Sequence, residues 1–425
     1  MSRSPAEAGS DTGAAEGGER GAILIVSPWE TVWSLGGGSG VKAGVSDDDR
    51  FIDGFIAAGY RIHFLRPRSS GHDPRVHTHA YPNFFRATRA LPTALRRPLW
   101  PLLFNLIVAP RALRLARRTG ARFVLGHSHY STLTTWLLRK RLGIPGAVKL
   151  FGVMDLVHTE WPTLRYRFKN LEQLAALRFA QDAWIVLDDG TRGGDILRQC
   201  GVPAERIHFL PNGLDLQWLE RPVDRDRARG RRGIACDAHV ALFLARLVPS
   251  KRPLDFVQAA AELRRRGNEG LVFMIAGDGP ERAACERAAR EYTGADQVRF
   301  LGTVPHDEVP DLMTAADVFV STSTLTNRAL PTCEAMICGV PVIAYDTGDT
   351  ATVVRPGETG AVVADGDVVA LADAIELLLE SDSVRERMGE AARRLARETF
   401  VSWEARIAME LRIVEELLAT RPQTR

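Results

Sequence analysis

At 425 residues the chain is too long for one ordinary hydrophobic core, so two domains are expected. Hydrophobic residues make up 45% and charged residues 25%, the balance of a soluble globular protein. Its 55 basic and 52 acidic residues leave a net charge of only +3, which gives no support for a nucleic-acid partner.

The first 20 residues, MSRSPAEAGSDTGAAEGGER, are rich in Gly, Ala, Ser and Glu and lack an apolar run. They read as a disordered leader, not as a signal peptide. Five cysteines, at 200, 236, 285, 333 and 338, form no CxxC pair and no zinc spacing. Reduced thiols and a cytoplasmic setting are expected.

GAILIVSP (21–28) reads as a buried strand, followed by the glycine-rich SLGGGSG. DDDRFIDGFIAAGY reads as a helix closed by glycine, and RIHFLRP as a strand. The most apolar stretch, LWPLLFNLIVAP (99–110), is about half of what a membrane span needs and is broken by Pro101. Arginines 96, 97, 111, 114, 117 and 118 flank it. The segment reads either as a packed helix or as a surface helix whose residues 96–118 touch the inner membrane face.

RFVLGHSH is the next strand, STLTTWLLRKRLG a helix and AVKLFG a strand; ALRFAQDAWIVLDDG is a helix end plus a further strand. The alternation restarts near residue 239, with HVALFLAR, PLDFVQAAAELRRRG, LVFMIAG and PERAACERAAREY in turn. Short apolar runs alternating with longer helices imply βαβ units and parallel sheets. The fold class is α/β, with two Rossmann-like doubly wound domains, 21–213 and 214–400, facing a central cleft. Six arginines between 221 and 232 read as solvated surface. The segment 401–425 carries a helix with apolar residues at helical spacing, expected to pack back on the first domain.

In FLARLVPSKRPLDF a strand ends at Arg246, a loop carries Lys251, and Pro253 opens a helix, where its missing N–H costs nothing. Two cations beside a helix N-terminus suit a diphosphate, or are surface cations paired with neighbours. MIAGDGPER is a strand, a tight turn containing Gly277, and a helix. No GxGxxG follows the first strand, so a dinucleotide fingerprint is absent. In RALPTCEAMICGVPVIAY, Pro331 is expected to open a small-residue helix that Gly339 closes. Glu334 in that helix is either an N-terminal charge favoured by the dipole or an acceptor for two vicinal ribose hydroxyls.

In order and spacing, these segments, with VRFLGTV, LMTAADVFV, EAMICGVPVIA and GETGAVV, resemble the C-terminal half of family 4 glycosyltransferases. These are retaining enzymes of the two-Rossmann GT-B fold. The likeness covers about 185–400, and PNGLD (211–215) resembles the family's Asn-Gly-x-Asp segment at the domain junction. The first half matches in outline only.

The resemblance implies transfer of a sugar from a nucleotide-diphosphate sugar to an acceptor hydroxyl, with no cofactor beyond that co-substrate and no metal. It implies that Arg246 and Lys251 bind the diphosphate catalytically and that Glu334 holds the ribose. Leu330, Pro331 and Thr332 would meet the donor through the helix start, with Gly277 and Asn327 nearby and Gly37 and Gly38 opposite. His127, His129 and Asp155 are candidate acceptor or sugar contacts. Two departures stand out. Thr326 and Asn327 occupy the place of the family's common glutamate and glycine, and KLFGVMD carries Phe151 and Gly152 where a histidine often stands. A weakened sugar-nucleotide-binding partner protein and a GT-B epimerase remain the alternative readings.

Overall fold

The computed structural model describes residues 20–28, 47–68, 75–83, 93–151, 171–188, 190, 193–268, 270–292, 297–326 and 328–420. Seven strands build the first sheet: β1 (Gly21–Val26), β2 (Tyr60–Pro67), β3 (His77–Tyr81), β4 (Ala121–His127), β5 (Gly146–Leu150), β6 (Ala183–Asp188) and β7 (Ile207–Pro211). They run in the order β3-β2-β1-β4-β5-β6-β7, every pair parallel. Helices cover both faces, so the inner strands are apolar almost throughout, as in Ala22–Val26.

Two strands of this sheet, the edge strands β3 and β7, were not revealed by patterning. The sequence of β3, HTHAY, has no apolar run. It lies at a sheet edge, pairs only with β2 and keeps much of its surface exposed.

A two-residue strand, β8 (Gly213–Leu214), leads out of the first sheet. The second sheet holds β9 (His239–Leu244), β10 (Leu271–Ala276), β11 (Val298–Gly302), β12 (Val318–Ser321), β13 (Val342–Tyr345) and β14 (Gly360–Val363). Their order is β11-β10-β9-β12-β13-β14, again parallel. In both sheets the order reverses beside the first strand of the set, the place where doubly wound folds open a crevice at the strand C-termini.

The chain then returns. β15 (Val401–Ser402) pairs with β8, and the helix Trp403–Thr420 lies over the first sheet. Ile407, Ile413 and Val414 join the same apolar cluster as Ile23, Phe51 and Phe55.

A buried charge cluster fastens that helix. Lys149 on β5, Arg406 and Glu410 are all fully buried. Lys149 Nζ lies 3.2 Å from Glu410, Arg406 Nη1 donates to Glu410 Oε2 at 2.5 Å, and Lys149 Nζ stands 4.9 Å from the centre of the Phe51 ring. One carboxylate therefore answers two enclosed cations.

The helix Thr93–Thr119 contains the apolar run noted above. Phe104, Val108, Ala112, Leu115 and Ala116 face the core, whereas Leu102 and Leu106 are exposed. No helix among the described residues is long and apolar enough to cross a membrane.

Removing Glu410 takes away the carboxylate that two enclosed cations share. Glu410→Ala is expected to cost about 3–5 kcal/mol, read as a lowered midpoint in denaturant unfolding. An unchanged midpoint would show that the cluster does not hold the helix.

Candidate active site

The crevice of the second sheet opens into a cavity of about 600 Å³. Leu244, Ala245 and Arg246 line it from the end of β9, Gly277, Asp278 and Gly279 from the turn after β10, and Thr303, Val304 and His306 from the loop after β11. Leu330, Pro331 and Glu334 enter from the helix Leu330–Ile337. Asp215 and Trp403 close it at the junction with the first domain.

Backbone hydrogen bonds fix the loop after β9. Leu247 N donates to Asp278 O at 3.0 Å, and Glu281 N to Leu247 O at 3.0 Å. From the other side, Thr322 Oγ1 donates to the carbonyls of Lys251 and Arg252, at 2.8 and 3.0 Å. Gly277 has φ +131°, and a Cβ there would stand 1.9 Å from the Ala245 carbonyl oxygen. Its missing side chain lets the two loops meet.

Arg246 is exposed at the cavity wall. Lys251 ends a 3₁₀ turn, Pro249–Lys251, outside the cavity lining, with Nζ 3.3 Å from Ser323 Oγ. Pro253 opens the following helix, as its position in the sequence implies, after Arg252 adopts a left-handed conformation with φ 43°. Arg252 itself pairs with Asp365 at 2.8 Å and does not line the cavity.

The helix Leu330–Ile337 begins one residue earlier than expected, with Pro331 second in it. Among the described residues no side chain caps its start, so its leading N–H groups and positive dipole end face the cavity. Glu334 follows the first turn and is buried. Burial pushes its carboxyl up to about 7, against the His306 charge that lowers it; Asp215 raises it further. Thr332 is fully enclosed and does not line the cavity.

Four residues of this site had no role assigned from sequence: Arg50, Asp215, His306 and Trp403. Asp215 Oδ2 lies 2.9 Å from His306 Nε2, and Arg50 Nη2 donates to Asp215 Oδ1 at 3.2 Å. The Trp403 indole lies beside Asp215 and favours its ionised form. Burial opposes ionisation of Asp215, but these partners outweigh it and hold its carboxyl below the usual range. His306 Nδ1 stands 3.9 Å from Glu334 Oε1. Burial disfavours the imidazolium, yet the bond to Asp215 and the nearby carboxylates raise the His306 pKa above the ordinary histidine value.

PNGLD, quoted above as a junction motif, now has a physical reading. Asn212 Nδ2 donates to the Asp188 carbonyl at 3.3 Å. A Cβ on Gly213 would come within 2.4 Å of the Trp403 ring, so the glycine admits that ring. Asp215 is the residue that reaches the cavity.

The loop holding Thr326 differs from expectation. Thr326 is buried, and its Oγ1 accepts the Arg328 N–H at 3.0 Å. A Cβ on Gly190 of the first domain would meet Thr326 Oγ1 at 2.1 Å. Arg328 Nη2 pairs with Asp188 at 2.8 Å. Thr326 and Arg328 thus join the two domains and are not in the cavity lining.

His127 is fully buried, edge-on to Phe64 and Phe151, and is closed off from the cavity in this conformation. His129 is part-buried, 3.3 Å from Ser128 Oγ, and also outside the lining. Gly37, Gly38, Asp155 and Asn327 lie outside the described residues.

Two parallel-sheet domains, a crevice at the strand C-termini, a bare helix start and an enclosed carboxylate define a nucleotide-binding enzyme of two Rossmann-like halves. Comparison with known proteins narrows this class. The model of "Glycosyltransferase Family 4" matches residues 50–218, and that of "Glycosyl transferases group 1" matches 224–395. Alpha-D-kanosaminyltransferase of Streptomyces kanamyceticus is 30% identical over 292 residues, 66% of this chain and 73% of that protein. Among solved structures, sucrose-phosphate synthase of Thermosynechococcus elongatus superposes with a TM-score of 0.74 at 21% identity, covering 94% of this chain and all (100%) of that one. HepE of Anabaena, solved with UDP-glucose, gives 0.67 at 18% identity, with 94% and 100% coverage. The chain belongs to the family 4 glycosyltransferases of GT-B fold and acts in nucleotide-sugar glycosyl transfer.

Thr326→Glu would restore the acid common in the family at a place already packed against Gly190 and close to Asp188. It is expected to lower stability by roughly 1–3 kcal/mol without raising turnover. Thermal unfolding and nucleotide-diphosphate release measure the two effects, and a gain in turnover would contradict this packing role.

Proposed function

We propose that the cavity binds the donor's nucleotide with Glu334 on the ribose hydroxyls, and that Arg246 and Lys251 receive the diphosphate. The observation that carries this reading is the convergence of Arg246, the start of Leu330–Ile337 and the enclosed Glu334 on one cavity. Lys251 lies just outside its lining and reaches the diphosphate by releasing Ser323. Transfer breaks the bond between the sugar C1 and the β-phosphate oxygen. The acceptor oxygen adds to C1 from the same face, and its proton passes to the departing phosphate. The protein's main task is then to stabilise the charge that grows on that phosphate, which fixed cations and helix N–H groups do without reorganising.

The acceptor side belongs to the first domain. We infer that the helix Thr93–Thr119 rests on an anionic membrane surface while the acceptor is engaged. Leu102 and Leu106, 57% and 65% exposed, share one face, and Arg114, Arg117 and Arg118 are exposed further along. The helix is tied to the turn that carries His129, because Asn105 Nδ2 donates to Tyr130 O at 3.2 Å. A lipid-borne hydroxyl resting at this surface would lie beside that turn.

Arg246→Ala and Lys251→Ala are each expected to reduce kcat/KM by about 10²–10³-fold. The measurement is nucleotide-diphosphate release from a panel of nucleotide sugars, and full turnover in both variants would refute the assignment. For the membrane reading, paired Leu102→Asp and Leu106→Asp should abolish sedimentation with phosphatidylglycerol vesicles while leaving nucleotide binding intact. Absence of wild-type sedimentation would reject it.

A further inference from the structure

The proposed donor site gives Glu334 a task but leaves the neighbouring histidine without one. His306 opens the 3₁₀ turn His306–Glu308 at the cavity wall. The junction, the helix Leu330–Ile337 and the first domain each bring a charged group to it. Asp215 holds its Nε2 at 2.9 Å, Glu334 faces its Nδ1 at 3.9 Å, and Arg50 stands behind Asp215 at 3.2 Å. The Trp218 ring lies 5.0 Å from the imidazole, centre to centre. Asp307 and Glu308 are the acidic neighbours on its own turn.

The geometry fixes the orientation. With Nε2 committed to Asp215, the other ring nitrogen faces the Glu334 carboxylate. A protonated ring has a donor for each. A neutral ring has only one N–H, and one of the two carboxylates then loses its partner. The Glu334 side chain is as enclosed as that of Asp215, and the His306 ring faces it at 3.9 Å.

Resting on the reading of Glu334 as the ribose acceptor, we propose that His306 is a positioning residue for the nucleotide: bridging Asp215 and Glu334, its imidazolium keeps the Glu334 carboxylate ionised and aimed at the ribose. Arg50 links this array to the first domain through Asp215. Ribose recognition is thereby coupled to how the domains meet.

The sign of the pH dependence follows. Only the ionised Glu334 offers a charged acceptor oxygen to each of two ribose hydroxyls, and burial sets its titration near 7, so nucleotide affinity falls as pH drops through that region. On the alkaline side, loss of the His306 proton removes the facing charge, and affinity falls again. The His306 pKa lies above the ordinary histidine value, despite burial, because of the bond to Asp215 and the charges of Glu334 and Asp215.

The test is calorimetric titration of the full chain with ADP, GDP, CDP and UDP, each beside its 2′-deoxy form, over about pH 5.5–9, the range that brackets histidine titration. His306→Gln keeps a donor for Asp215 but carries no charge. It is expected to erase the alkaline limb and move the acid limb up by about one pH unit, the low end for loss of an opposite charge within ~4–6 Å. Glu334→Gln is expected to erase the acid limb and the preference for the ribose over the deoxyribose form. If Glu334→Gln behaves so while His306→Gln keeps both wild-type limbs, the positioning role is wrong and the ribose reading stands. If no nucleoside diphosphate binds in preference to its deoxy form, or Glu334→Gln changes nothing, the ribose reading fails and this inference with it. Should His306→Gln not fold, an NMR titration of the wild-type His306 ring decides. A ring that loses its proton at or below the ordinary histidine value overturns the proposal.

Discussion

One carboxylate at the domain junction organises the cleft. Asp215 is held by Arg50 from the first domain and by His306 from the second, with Trp403 of the returning helix beside it. Each of the three comes from a different part of the chain. Taking Asp215 out of water opposes its ionisation, so the bonds it accepts must outweigh that cost. They do, since its carboxyl titrates below the usual range. The same arrangement turns the other nitrogen of the His306 ring toward Glu334, whose carboxyl burial pushes up to about 7.

Much of the architecture was legible in the sequence for a simple reason. Parallel strands buried on both faces must be apolar throughout, and runs such as AILIV and HVALFL announce themselves. HTHAY escaped notice because an edge strand with a half-exposed surface is under no such demand. Within the site, local signals carried local facts. Pro253 marked a helix start, and Gly277 a turn that only a residue without Cβ can close.

What could not be read was anything requiring two distant segments at once. Arg50 and Asp215 are 165 residues apart, and His306 and Asp215 are 91 apart. A histidine in a short loop after a strand carries no periodicity to mark it, although Asp215 sits in a motif already noticed. Thr326 shows the converse. It stands where the family commonly has a glutamate, but its surroundings are Gly190 and the N–H of Arg328. In this chain the loop binds the other domain, with Arg328 pairing to Asp188 in the process. The motif supplies the place in the chain, and the neighbours decide the role.

The pairing of β8 with β15 has a mechanical meaning. The chain crosses between domains twice, at 211–216 and near 400–403, and the two crossings lie side by side as a parallel strand pair. A single tether would permit one half to swivel freely over the other. Two tethers bonded along their length resist twisting and sideways slip, leaving bending across the pair as the soft motion. Trp403, wedged on Gly213 at that pair, is also a wall of the cavity. The hinge and the binding site therefore share a surface, and any bend that opens the cleft must reshape the pocket by moving the same indole ring.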